Sequence, residues 1–444
     1  MTETNALAKQ FTPGSLLRFA LPNMIMMVFL ALYTIVDGMF ISRLVGEVAL
    51  SATNMFYPAT SLQIAVGIML ATGGSAIIAL EMGKGNVHRA REVFTCITAV
   101  SLIIGMLFTV LCIPNLPAIL HLFGTSAIQM ADCMTYARIL LWFSPMMFLQ
   151  MLFQVFFITA GKPGLGLGLT VLGGVANMVL DYLFMGPMEL GIAGAAVATG
   201  IGYCIPAIAG VLYFLFYRKG TLYFVPFHVE PKVLLRTCSN GCSELVSNVS
   251  IAVTTFLFNI IFMKFWAETG VAAITILSYF QFVFSAIFMG FALGISPVVS
   301  YKYGAGDTAQ LKKIFRISLF FIALCSVNVY VLSRLTIGAS LSVFTDAGSP
   351  VYALAITGFP IYALQFLCMG FSIFSSALFT ALGNGIVSAV ISISRTLVFL
   401  VGCLLILPAV WGETGVWFAV PIAELLGILV SVTFLLWGRS KYLY

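Results

Sequence analysis

"GKGNVHRAREVF", residues 83–94, returns 221 residues later as "GAGDTAQLKKIF", residues 304–315. Six positions match or exchange like for like: Gly83/Gly304, Gly85/Gly306, Asn86/Asp307, Arg91/Lys312, Val93/Ile314 and Phe94/Phe315. "LGIAGAAVA" (190–198) and "WGETGVWFA" (411–419) keep the same offset and share both glycines and the last alanine. "FITAG" (157–161) and "FTALG" (379–383) are offset by 222. Any one of these is an ordinary helix-cap or turn motif. Three at one period describe a chain built twice.

What is repeated is a set of membrane helices. The 444 residues are 61% hydrophobic and 8% charged, where a soluble protein carries about a quarter charged residues. Apolar runs of ~20 residues recur throughout, the length that crosses a bilayer as a helix. They are too long for the alternating strands of a membrane barrel. No cleavable signal peptide is expected, because Arg18 and Pro22 enter a first run longer than a signal h-region. The nine cysteines lie mostly within apolar runs without zinc spacing, and neither disulfides nor a metal cluster is expected.

Polar breaks divide the chain into twelve spans, at 16–41, 50–80, 93–117, 132–158, 164–186, 190–217, 236–263, 271–300, 314–337, 350–380, 386–408 and 414–438. The longest polar connection, 217–236, joins an N-lobe (1–217) through a linker (218–235) to a C-lobe (236–444). The repeat offset spans six helices, an even number, so the halves run in parallel. They are related by an axis along the membrane normal and enclose a central cavity, an arrangement suited to alternating access. With both termini inside, 16 of the 21 Lys and Arg residues fall on the cytoplasmic side and three (Arg43, Lys264, Arg334) outside. That split sets both termini in the cytoplasm. It also accounts for the +6 net charge without nucleic-acid binding.

Four of the 15 acidic residues fall well within spans: Asp37, Asp181, Glu244 and Glu424. A charge at the bilayer centre costs at least ~2.5–3.5 kcal/mol, so each faces a partner or a water-filled cavity. Asp37 lies six residues before Arg43, and Asp181 eight before Glu189, on spans running in the same direction. Both sit ~9–12 Å from the outer end of their helix. Asn177 shares the Asp181 face, and Thr199 on span 6 reaches a similar depth. Two carboxylates, an amide and a hydroxyl therefore converge in the first half. Such a pair does not ionise twice cheaply: it keeps a proton or holds a cation such as Na⁺. Pro22, four turns below Asp37, removes a backbone hydrogen bond where span 1 can bend.

"ALPNMI…YTIVDGMFISRLVG" (20–46) and "GKPG…ANMVLDYLFM…LGIAGAAVAT" (161–199) resemble the multidrug and toxic compound extrusion (MATE) transporters. The likeness covers essentially the whole chain and is nearest to the bacterial multidrug efflux branch. It implies an N-lobe site for H⁺ or Na⁺ at Asp37, Asn177, Asp181 and Thr199, with Pro22 as a hinge in span 1. It also implies a C-lobe role for Glu244 in cation coupling or substrate binding. The chain departs from some members at span 10, where it has Gln365 in place of an acid. A C-lobe Na⁺ site is not carried over.

Further polar positions are candidates for the cavity wall: Gln150, Gln154, Tyr279, Gln281 and Arg395, the last needing Glu244 or Glu424 as counter-charge. The 39 Phe and 20 Met supply ring faces and flexible thioethers suited to flat organic cations. The expected protein is a monomeric, all-α antiporter of a bacterial inner membrane, exporting organic cations in exchange for H⁺ or Na⁺, with no other cofactor. A flippase or exporter of a lipid-linked or specific metabolite is the alternative. A membrane-embedded enzyme is less favoured: His88, His121 and His228 lie in loops or at span ends, and no hydrolase or P-loop motif occurs.

Overall fold

The computed structural model describes residues 5–444, which form helices and no strands. α1 (Pro13–Leu44) starts at a capping box between Thr12 and Ser15 and runs through Pro22. It is followed by α2 (Glu47–Gly83) and α3 (Val87–Leu122). α4 is two pieces, Met130–Trp142 and Ser144–Thr159, meeting at 56°. Pro145, in the first turn of the second piece, has no amide to continue the first. α5 (Pro163–Met185) and α6 (Gly191–Phe216) complete the first half.

Pro231–Gly304 contains both α7 (231–265) and α8 (268–304), broken only at Trp266 and Ala267. The expected connection at 264–270 is thus compressed to one sharp corner. α9 is Thr308–Leu341. α10 (Pro350–Ala381) tightens into a 3₁₀ turn at Ala363–Leu367, and α11 (Gly385–Trp411) widens into a π turn at Ser394–Phe399. α12 is Glu413–Tyr442. The described residues therefore make twelve spans. The irregular turns in α4, α10 and α11 were not legible as breaks in hydrophobicity.

Turn geometry follows the repeat. Gly85 and Gly306 (φ +84° and +69°), Gly161 and Gly383 (+76° and +77°), and Gly191 and Gly412 (+56° and +60°) are matched left-handed positions. Gly46 (φ +124°) pairs with Ala267 (φ +50°). The interface between the halves is reciprocal as well. A Cβ on Gly83 of α2 would fall 2.1 Å from the Tyr301 carbonyl oxygen, and one on Gly304 of α8 would fall 2.3 Å from that of Leu80. Tyr301 and Leu80 are themselves one repeat apart.

The buried core shows where the halves join. One apolar cluster mixes both halves, from Leu7, Phe94 and Phe156 to Phe291, Phe379 and Tyr444, at the end that carries the termini. At the far end each half has its own cluster, Ile41 to Ala196 in one and Ile261 to Ala423 in the other. The molecule is closed at the terminal end and divided at the other.

Chain segments reinforce the closed end. Leu7 and Phe11 are buried, Lys302 Nζ donates to the Ala8 carbonyl at 3.0 Å, and Phe11 N–H donates to Gln310 Oε1 at 3.0 Å. Ala6, in the same segment, abuts Gly161 of the first half. The link between halves lies on α3: Arg91 donates to the Thr221 carbonyl at 2.9 Å and stacks on Tyr223 at 4.0 Å. Arg89 pairs with Glu230 at 2.5 Å and holds that carboxyl below its usual range.

Candidate functional site

Glycines bring α5 and α6 together. A Cβ on Gly173 would fall 2.7 Å from the Gly202 carbonyl oxygen, and one on Gly202 would fall 3.1 Å from Asn177 Cβ. Such contacts let membrane helices approach closely. They set Asn177 against Thr199, to which its amide donates at 3.4 Å; Thr199 donates in turn to the Ala195 carbonyl at 2.9 Å.

Asp181 and Asn177 are buried and Asp37 is half-buried. The carboxyl groups of Asp37 and Asp181 are neighbours within electrostatic range of each other. Asp37 Oδ1, both Asp181 oxygens and Asn177 Oδ1 are buried with no protein donor. A carboxylate only accepts, and an unpaired buried charge is costly. This oxygen cluster has the chemistry to hold a proton between the acids or a small hard cation among them.

Three tyrosines lie within electrostatic range of Asp37: Tyr33, Tyr136 and Tyr203. Tyr33 precedes Asp37 by four residues and Tyr203 follows Thr199 by four, so helical spacing carried the signal for these two. Tyr136 comes from α4, whose approach is a tertiary matter.

In the second half, Arg395 sits in the π turn of α11. Its Nε lies 2.8 Å and 2.9 Å from the two Glu424 oxygens on α12. Of the two possible counter-charges, Glu424 makes the ion pair. Glu244 on α7 is half-buried and feels Arg395 at longer range. The Tyr362 hydroxyl donates to Gln281 Oε1, and Gln365, in the 3₁₀ turn of α10, donates to the Tyr362 carbonyl at 3.1 Å. Gln365 Oε1 is buried and unpartnered.

Not every candidate joins these clusters. Tyr279 is exposed and stacks on Phe344 with centroids 6.2 Å apart. Gln150 leaves its Oε1 buried without a partner. Pro22 lies at the seam between halves, beside Asn23, whose amide donates to the Gly290 carbonyl at 2.6 Å. An apolar cavity of about 400 Å³ opens between α2, α3, α4 and α7, with Phe56, Leu62, Phe108, Leu141, Val249 and Ala252 among its walls. It contains none of the charged groups.

The sequence profile of the MatE family matches the chain twice, at residues 22–183 and 245–405, once in each half. The chain is 22% identical over 424 residues to the multidrug export protein MepA of Staphylococcus saprophyticus, covering 94% of this chain and 92% of that protein. Its fold is shared with a crystallised MATE protein in complex with MaL6 (TM-score 0.92, 22% identity, 99% of each chain). It is also shared with an outward-facing multidrug resistance MATE family transporter of the MOP superfamily (TM-score 0.92, 23% identity, 100% of this chain and 98% of that one). With both halves matched and the fold in common, the chain belongs to the MatE family, the multidrug and toxic compound extrusion transporters.

Proposed function

We propose that this protein is a cation-coupled antiporter that exports organic cations across a bacterial inner membrane, with both termini in the cytoplasm. The observation that carries the reading is the Asp37–Asp181 pair with its unpartnered oxygens, confined to the first half. A channel or a scaffold has no use for such a pair. The basic residues gathered at the closed end support placing that end inside. The multidrug export named for the staphylococcal relative supports a drug-like substrate. In the second half, Arg395 neutralises Glu424 and leaves Glu244 as the spare acid, a balance that favours cations over the anionic headgroups of lipid-linked sugars.

In this reading two lobes, 1–217 and 236–444, rock about the seam. From the outward-facing state H⁺ or Na⁺ enters the Asp37/Asn177/Asp181/Thr199 site. Pro22 leaves the Arg18 carbonyl without its helical donor, and Asn23 pins the helix next to it. The part of α1 above this point is free to swing with Asp37. The bound ion must favour the drug-free conformation, because equal affinity for both states shifts nothing. Gln150, Gln154, Tyr279, Gln281 and Gln365 serve the cavity wall, and the protein acts as a monomer with no cofactor beyond the coupling ion.

Ethidium efflux from proteoliposomes under an imposed pH gradient, then a Na⁺ gradient, tests the proposal. Wild type should respond to at least one gradient, and Asp37→Asn and Asp181→Asn should each abolish the response while folding normally. Undiminished efflux in both variants would make the pair structural.

A further inference from the structure

Beneath the Arg395–Glu424 pair, hydroxyl groups link α7, α10 and α11 in a continuous ladder. Thr380 Oγ1 lies 3.4 Å from Ser243 Oγ and 2.8 Å from Ser388 Oγ. Ser376 Oγ lies 2.8 Å from Ser388 Oγ and 2.9 Å from Ser392 Oγ. All five side chains are buried. Above the ladder, Ser372 is one turn from Ser376 on α10, and its buried hydroxyl has no partner. It lies beside Arg395, since both side chains abut Gly427. Below, Asn240 donates to the Thr380 carbonyl at 2.9 Å and leaves Oδ1 buried and unpartnered. The next residue, Gly241, presses on Met69 of α2 at the seam between halves.

Helix packing does not require these hydroxyls. The equivalent crossing in the first half has Gly166 against the Gln154 carbonyl, as Ser388 stands against that of Ser376. Gly166 and Ile158 occupy the places of Ser388 and Thr380 one repeat earlier. The same fold element is therefore built once without the ladder and once with it.

We propose that the ladder is a gated proton path between Glu424 and the inner face, open when the α2–α7 seam parts. The proposal rests on the cation-coupled reading, with H⁺ as the ion. A proton leaving the Glu424 carboxyl is taken by the first hydroxyl, which passes its own proton to the next. Each hydroxyl gains one O–H bond and loses one, because each is both donor and acceptor. The carboxyl is left as the carboxylate that pairs with Arg395 in this structure, and the proton leaves Ser243 for water on the inner side. In the closed conformation the packed seam blocks that exit.

The test uses the purified full chain in proteoliposomes enclosing a pH-sensitive dye, with ethidium as the exchanged cation. Ser388→Ala and Ser376→Ala should each slow ethidium-dependent proton flux about tenfold and leave equilibrium ethidium binding unchanged. Ser376→Thr, which keeps the hydroxyl, should run at the wild-type rate. If Ser388→Ala does not fold, the two Ser376 variants carry the comparison. Wild-type flux in folded Ser376→Ala would overturn the proposal and leave the ladder as helix packing. Efflux driven by Na⁺ and abolished by Asp37→Asn, with no proton movement, would also overturn it while the antiporter reading stands. Efflux driven by neither ion would end both.

Discussion

Arg395 shows what one residue's chemistry demands and what it leaves open. A guanidinium inside a membrane span needs an acid, and two spans offer one. Glu424 receives the ion pair at 2.8 Å because the π turn of α11 turns Arg395 toward α12. Removing one partner of such a pair strands the other charge. We expect Arg395→Met to destabilise the protein by about 3–5 kcal/mol, and the double variant Arg395→Met/Glu424→Gln to recover most of that loss. Thermal unfolding of the purified proteins in detergent measures both, and additive losses in the double variant would show that the charges are not coupled. The first-half site was more legible. Asp37, Asn177, Asp181 and Thr199 follow from helical spacing and depth, and Tyr33 and Tyr203 lie one turn from members of that set. Tyr136 has no such register with the others and enters only through the packing of α4.

At the scale of elements, the repeat is written in corners as much as in helices. Gly412 joins α11 to α12 with φ +60° and ψ −136°. Ala267 joins α7 to α8 with nearly the same angles, φ +50° and ψ −142°. That region is open to glycine and strains any residue with a Cβ. Gly46, one repeat before Ala267, has the residue the corner asks for. We expect Ala267→Gly to stabilise the protein by about 1 kcal/mol, the relief of strain exceeding the extra freedom of the unfolded chain. A raised Tm with unchanged ethidium efflux is the result sought; a lowered Tm would mean that the alanine methyl packs better than the backbone suffers. The apolar runs around Ala267 marked two spans correctly. They said nothing of the corner, because hydrophobicity does not record backbone handedness.

For the whole molecule the decisive feature is one shared core at the terminal end and two separate cores at the other. Transport by rocking requires that the shared end part. A Cβ on Gly294 would lie 3.3 Å from Asn23 Cβ across the seam, close to the ~3.5–4.5 Å of a disulfide. We expect Asn23→Cys/Gly294→Cys to lose ethidium efflux when oxidised and regain it on reduction. Each single variant serves as control against the nine native cysteines, all free thiols. Full efflux from protein shown by mass to be quantitatively cross-linked would mean that this seam does not open in the cycle.

Hydrophobic run length determined the twelve spans from the sequence alone, since each bilayer crossing needs about the same apolar length. The recurring motifs determined the repeat, glycines among them because a left-handed corner selects glycine wherever it recurs, and six spans per period, an even number, made it parallel. Tertiary structure alone decided which acid Arg395 takes, where α4, α10 and α11 break, and which end of the molecule is closed. Those outcomes depend on contacts between helices far apart in the chain. A pattern read along a single helix gives each side chain's face and depth, and never its neighbour across the bundle.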